Sequence, residues 1–250
     1  MLKEERFQKL LSILDENEFI TVKNLSEKLE VSMPTVRRDL AELAARNQIL
    51  RSHGGAMRMD VKNNTAPPID FRRSINAREK AAIARAAAAF LRSDSVIFID
   101  ASTTAAYLTE HLEGIRGLIV ITNSLMTAVH LKNRGVRTYC LGGEVLPDSL
   151  AVGGRMAVEA VGDFNIDVMF FSSYGVNAQG VIVDSSEAEN ELRRHVLRQA
   201  ASSVFLCDRS KFGKSAAFHL APLGEVDCLI SDGPVPEHFP APRKGVILAE

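Results

Sequence analysis

Cysteine is scarce in this chain and odd in number. Cys140, Cys207 and Cys228 lie in the apolar runs TYCL, VFLCD and VDCLI, with no CxxC spacing. That pattern excludes a disulfide framework and argues against a thiolate metal site, so all three are expected as buried strand residues in a reducing compartment. Long apolar runs are lacking as well. None approaches 18 residues, and the N-terminus, MLKEERFQKL, is charged where a signal peptide would be apolar. The expectation is a cytoplasmic protein without a membrane segment. His111, His130, His195, His219 and His238 show no ligand spacing, and no metal is expected. Neither sign of charge is in excess, with 30 Lys and Arg against 31 Asp and Glu. Any affinity for nucleic acid must therefore come from local clustering.

What is present begins with a hydrophobic content of 46%, enough for a buried core, in a length that suits a small domain joined to a larger one. Residues 1–57 hold nine Lys and Arg and nine Asp and Glu, yet from Ser32 to Arg58 the count is five against two. The positive charge gathers around one stretch, SMPTVRRDL, residues 32–40.

The periodicity around that stretch is helical. Phe7, Leu10, Leu11 and Leu14 recur at i, i+3, i+4 and i+7, and Leu25 and Leu29 follow in a second helix that Thr21 caps. Ser32 is a good N-cap for a third helix running to about Arg46, and Pro34 is tolerated in its first turn, where its missing N–H has no partner. Val36, Leu40, Leu43 and Ala44 form its buried stripe. Arg38 then lies nearly opposite that stripe and Arg37 at its edge. QILRSHGGAM reads as a hairpin around Gly54 and Gly55. Three helices and a hairpin make a winged helix-turn-helix plan. Its third helix would enter the DNA major groove with Ser32, Pro34, Thr35, Arg37 and Arg38 foremost, Arg suiting guanine O6 and N7. Asp39 would orient a neighbouring arginine, Arg51 and Arg58 on the wing would add phosphate or minor-groove contacts, and His53 reads equally as such a contact or as a plain turn residue. An arginine pair alone would be an ordinary surface helix; its place in this plan decides for DNA.

The organisation expected is a DNA-binding domain over 1–58, a linker over 59–75 marked by Asn-Asn and Pro-Pro, and a second domain over 76–250. In that second domain, near-continuous apolar runs (VIFID, GLIVIT, VRTYCL, DVMFFSS, SVFLCD, VDCLIS, GVILA) alternate with helical patterns. That is an α/β fold with a mostly parallel sheet covered on both faces. Ligands of such sheets bind outside the carboxyl ends of the strands, which here carry Asp100, Asn123, Gly142 and Gly143, Tyr174 and Gly175, and Asp208. Ser102, Thr103 and Thr104 open a helix directly after Asp100; they read equally as plain capping residues or as an anion site.

These residues carry a resemblance. Arg6, Leu10 and Leu14, then Ser32, Thr35, Val36, Arg37, Arg38, Asp39 and Leu40, and the wing LRSHGGA, resemble the N-terminal pattern of the DeoR family of bacterial transcriptional regulators. FIDASTT, ITNS, LGGEV, YGVNAQGVIVD and CDRSKFGKSA resemble the successive blocks of that family's C-terminal sensor domain. The resemblance implies a sensor similar in fold to ribose-5-phosphate isomerase. It implies a regulator, in general a repressor of a sugar-catabolism operon, that leaves double-stranded operator DNA when a phosphorylated sugar binds. Carried over by position, the effector site would comprise Asp100, Thr103, Thr104, Asn123, Gly142, Gly143, Gly175, Glu189 and Lys211. Ser102 and Ser172 stand where the family tends to glycine, and Arg193 where it has lysine, which exchanges a point charge for a planar fork. Operators are read by paired half-sites, so a homo-oligomer is expected. No cofactor or catalytic residue is implied. The rival is an active phosphosugar isomerase with a DNA-binding appendage. It would need a carboxylate base, Asp100 or Glu189, within reach of the transferred proton, and no spacing in the sequence brings the two together.

Overall fold

The computed structural model describes residues 2–17, 19–46, 48–52, 54–58, 69–146 and 149–250. It divides into two compact units, 1–77 and 78–250.

In the first unit, α1 (Lys3–Asp15) buries Phe7, Leu10, Leu11 and Leu14, the four residues whose spacing marks its inner face. A short strand, β1 (Ile20–Thr21), leads into α2 (Val22–Leu29), where the Thr21 hydroxyl accepts the Asn24 N–H at 3.1 Å. Helix α3 (Met33–Ala45) starts in the same way: Ser32 Oγ accepts from Thr35 N, with proline in the first turn. Val36, Leu40 and Leu43 are fully buried and join α1, α2 and the following strands in one core. Strands β2 (Ile49–Arg51) and β3 (Gly55–Arg58) form the wing, with β1 on the far side of β3. All pairings in this small sheet are antiparallel.

One segment departs from expectation. Of the stretch read as a linker, 59–68 lies outside the described residues, but 69–74 is a helix, α4 (Ile69–Ser74), packed on the winged helix. Phe71 is buried edge-on against Phe19, ring centroids 5.6 Å apart, and Ser74 Oγ donates to Ser52 Oγ at 2.7 Å in the wing turn. Six residues are too few to show a helical period, and Arg72 and Arg73 dilute the one apolar anchor.

The second unit opens with α5 (Ala77–Ala87) and continues as β4 (Val96–Ile99), α6 (Thr103–Ala106), β5 (Ile119–Thr122), α7 (Leu125–Asn133) and β6 (Arg137–Cys140). A hairpin of β7 (Glu144–Val145) and β8 (Val152–Gly153) precedes α8 (Arg155–Val161) and β9 (Val168–Phe171). There follow β10 (Gly175–Val176), β11 (Val181–Asp184), α9 (Glu187–Gln199), β12 (Ser202–Leu206), β13 (Phe218–Pro222), β14 (Cys228–Ser231) and β15 (Val246–Leu248). Seven strands form one sheet in the order β15-β14-β12-β9-β4-β5-β6, every pairing parallel. Strands β10, β11 and β13 form a separate antiparallel sheet.

Alternation along β4 explains the layering. Ile97 and Ile99 face one core with Ile83 and Ala87 of α5 and Ala105 of α6. Phe98 faces the other, with Phe171, Phe205, Val161 of α8 and Leu192 and Val196 of α9. Both faces are covered, so the strands are apolar throughout. The cysteine expectation holds for Cys207 and Cys228, which are buried, and fails for Cys140, which is exposed. Cys140 closes β6, an edge strand, and edge strands lack the covering neighbour that a run such as TYCL implies.

Candidate functional sites

The recognition surface is built by anchoring one side of α3 and leaving the other free. Asp39 is 1% exposed and accepts a two-pronged hydrogen bond from the Arg6 guanidinium of α1, through Nε and, at 3.0 Å, through Nη2. That bond raises the Arg6 pKa further above its already high value. The partner of Asp39 is thus Arg6 and not the adjacent arginine expected from the sequence, because position 39 lies on the α1-facing side of the helix. Arg37 and Arg38 are exposed and, among the described residues, have no hydrogen bond or ion pair. Thr35 Oγ1 and Ser32 Oγ lie 2.9 Å apart, so both hydroxyls are engaged at the cap, and Pro34 is exposed beside them. On the wing Arg51 is exposed, Arg58 is held by Asp15 at 2.7 Å, and His53 lies outside the described residues.

In the second unit, strand order locates the site. The chain runs outward from β4 through β5 to β6, then returns to β9 on the other side of β4 and continues outward to β15. The reversal lies between β4 and β9, and in open α/β sheets the crevice at that point is where ligands bind. Asp100 follows β4 there, and Ser172 follows β9. They meet there, with the Ser172 backbone N–H donating to the Asp100 carboxylate Oδ2 at 3.4 Å.

Four ionised groups converge on this point. Arg193, 4% exposed, donates from Nε to Asp100 at 2.9 Å, from Nη1 to Asp184 at 2.9 Å and from Nη2 to Glu189 at 2.7 Å. Burial opposes its charge, but Asp184, Glu189 and Asp100 together outweigh burial and raise its pKa. Three carboxylates at three angles suit a planar fork and not an ammonium. Asp100 Oδ1 also accepts from Ser102 N at 3.1 Å.

Lys211, from the turn after β12, reaches the same point. It donates to Ser172 Oγ at 2.7 Å, to the Ser173 carbonyl at 2.8 Å and to Thr104 Oγ1 at 3.5 Å, all neutral oxygens. Gly175 makes this possible: a Cβ there would stand 2.7 Å from the Lys211 carbonyl. Asp208 caps the turn through Ser210 N at 3.2 Å. Cys207, beside it, has its thiol pushed up to about 12 by burial and is no nucleophile. Ser102 behaves as a capping residue, its Oγ accepting from Ala105 N at 3.2 Å. Thr103 Oγ1 accepts from Lys80 Nζ at 3.2 Å.

Asn123 follows β5, one strand away from Asp100. Its amide donates to the Val152 carbonyl at 3.1 Å, while its buried Oδ1 has no hydrogen-bond partner among the described residues. Gly143, after β6, has φ +143°, and a Cβ there would stand 2.5 Å from the Gly153 carbonyl, so the close approach of the β7–β8 hairpin requires glycine. A Cβ at Gly142 would meet open space. The structure therefore joins Asp100, Thr104, Gly175, Glu189, Arg193 and Lys211 in one cluster. Asn123, Gly142 and Gly143 stand along the same sheet edge without, among the described residues, a hydrogen bond to it. Sequence reasoning missed Lys80, Asp184 and the backbone of Ser173. Lys80 sits mid-helix in AREKAAIA, where a lysine signals solvent; only its burial betrays it. Among the described residues, no group of three or more His, Cys, Asp or Glu is arranged to hold a metal, and no helix is long and apolar enough to cross a membrane.

Comparison with known families agrees with both halves of this geometry. Residues 6–62 match the DeoR-like helix-turn-helix domain, and 75–233 match the DeoR C terminal sensor domain. The chain belongs to the DeoR family. It is 33% identical to the L-fucose operon activator of Escherichia coli (strain K12), over 92% of this chain and 96% of that one. It is 28% identical to the glycerol-3-phosphate regulon repressor of the same strain, over 94% and 93%. Among solved structures, a D-ribose-5-phosphate isomerase in complex with phospho-erythronic acid aligns over 54% of each chain, with 15% identity and a TM-score of 0.42. As a DeoR-family member, the protein is a DNA-binding transcriptional regulator and not an enzyme. Asp100 and Glu189, the two candidates for the carboxylate base of an isomerase, are both ion-paired to Arg193.

Proposed function

We propose that this regulator represses a sugar-catabolism operon and is released from its operator by a phosphorylated sugar bound at the carboxyl edge of the parallel sheet. The observation that carries the reading is Lys211 at the strand reversal. It is a cation with three neutral partners, set between Thr104 and Ser172 and next to an Asp100 whose charge Arg193 already compensates. An incoming phosphoryl group gains charge-assisted bonds there without displacing an ion pair. The hydroxyls of the sugar extend toward Asn123, whose unmatched acceptor calls for a donor. Ser102, Thr103, Gly142, Gly143, Gly175, Glu189 and Arg193 shape or support that site. On the DNA side, Arg37 and Arg38 read guanine edges, with Ser32, Pro34 and Thr35 at the groove and Arg51 and His53 on the backbone. The protein acts in the cytoplasm as a homo-oligomer whose copies occupy half-sites about one helical turn apart. A named repressor and a named activator among its relatives make the sign of regulation a question for experiment.

Fluorescence anisotropy tests the reading, using DNA from upstream of the protein's own gene at fixed salt, with and without a panel of sugar phosphates. Selective binding that one sugar phosphate weakens is the expected result. Binding that a sugar phosphate strengthens overturns release by the effector; binding that none alters removes the effector.

A further inference from the structure

The seven-stranded sheet ends at β15, and all three residues of that strand are exposed: Val246 at 41%, Ile247 at 37% and Leu248 at 58%. Its neighbour β14 is buried throughout. The chain passes from β14 to β15 through residues 232–245 without forming a helix, so no crossover helix covers the last strand. Of residues 246–249, only Ala249 packs on a sheet-face core. Strand β15 therefore has the aliphatic composition of a strand covered on both faces, and neither face is covered.

The backbone agrees. The Gly245 carbonyl accepts from Leu229 N at 3.2 Å, and Ala249 N donates to the Ser231 carbonyl at 2.8 Å. Backbone groups alternate between the two sides of a strand. Residues 245, 247 and 249 thus face β14, and the N–H and C=O of Val246 and Leu248 face outward. Among the described residues, no strand pairs with that outward side. A second β15 laid antiparallel about a two-fold axis at Ile247 sets Val246 of each copy opposite Leu248 of the other. Such a pair exchanges both of its N–H···O bonds, and Ile247 faces its own image. The flanking charges fit the same arrangement. The exposed Lys244, bonded to Asp227 at 3.2 Å, stands before the strand, and Glu250, which has no ion pair among the described residues, stands after it. Antiparallel pairing brings the Lys244 end of each copy to the Glu250 end of the other. The opposite edge of the sheet is different: on β6, Tyr139 packs on Phe164 at 5.4 Å and Arg137 lies along the strand on Tyr139. An edge bearing a charged side chain resists strand addition.

We infer that β15 is the seam between two copies of this chain, its aliphatic edge pairing with the same edge of a second copy to continue the sheet. This rests on the homo-oligomer reading above and adds the surface that joins the copies. One patch meeting itself is what a two-fold interface requires. Three residues a side make a short seam, below the ~800 Å² per partner of a stable interface, so dissociation is expected at about micromolar concentration.

Sedimentation of the full-length protein over a concentration series, without DNA, reads that equilibrium. Leu248→Pro removes an N–H from the outward side alone and spares the bonds to β14. It should weaken self-association by about tenfold or more, since each copy loses one bond. Thr138→Pro makes the same change on β6, where Leu141 N bonds inward to the Thr122 carbonyl and residue 138 faces outward, and should leave self-association as in wild type. Should Leu248→Pro melt early, Ile247→Lys carries the same reading, because it sets two ammonium groups face to face at the axis. Self-association unchanged by both β15 variants overturns the seam and leaves the homo-oligomer standing. A loss confined to Thr138→Pro does the same and moves the contact to β6. Slow amide exchange at 246 and 248 in a species of monomer mass also overturns it, because another part of the chain then covers the edge. So does a wild type that is monomeric in solution and pairs only on DNA. A wild type that is monomeric in solution and binds its operator as a single copy removes the homo-oligomer reading, and this inference with it.

Discussion

Arg37 and Arg38 stand exposed on α3 without a partner among the described residues, while Arg193 is buried among three carboxylates. The residue type is the same and the environments are opposite. A guanidinium whose donors are unspent at the surface is available to an anion from outside, such as a DNA phosphate or a base edge. One whose donors are spent on Asp100, Asp184 and Glu189 holds strand ends and a helix in register. The first is judged by DNA affinity and the second by folding. Arg6 on Asp39 lies between them, an anchor that fixes how the free pair is presented.

The largest break in this comparison comes from Arg193→Met. Removing the one cation leaves three buried carboxylates without their shared partner, and about 3–5 kcal/mol of stability should be lost. Urea unfolding at neutral pH measures it; a loss under 1 kcal/mol would sink the structural reading of that arginine. Asp39→Ala comes next, at about 2–3 kcal/mol, because it strands the Arg6 guanidinium and frees α3 from α1. Operator binding should fall as well, through presentation and not through contact. Arg37→Ala and Arg38→Ala should cost about 1–3 kcal/mol in operator affinity while the melting curve stays within about 0.5 kcal/mol of wild type. Anisotropy and melting on the same samples would expose the error if the two effects were reversed. The smallest effect is that of Ser32→Ala, about 1 kcal/mol of stability from the lost cap, again by urea titration.

Much of this was legible in the chain. Thr21, Ser32 and Ser102 each cap the helix that follows, because a short side-chain oxygen after an extended residue satisfies an N–H that has no other partner. Apolar strands alternating with helices led to a parallel sheet, and the ends of those strands led to Asp100 and Asn123. Position 38 opposite the Val36–Leu40 stripe led to an exposed arginine. Three features resisted for different reasons. Helix α4 is held by one phenylalanine and one serine, too little for a period. Cys140 has the apolar neighbours of a core strand, yet its strand lies at the sheet's edge. Lys80 sits in a sequence that looks solvated.

Along the chain alone the residues establish much that is local: where the longer helices start, which faces are apolar, which family the motifs resemble, and which residues come at strand ends. Those follow from backbone geometry and from side-chain chemistry within a few residues. Folding set the partnerships between distant residues. That Arg193 meets Asp100 across 93 positions of chain, that Arg6 meets Asp39 across 33, and that Lys80 and Lys211 meet consecutive threonines depends on the order of strands in the sheet and the packing of helices on it. Glu189 and Arg193, four apart on α9, are the pair that spacing does record; the other charges that these ionised side chains meet are brought to them by folding.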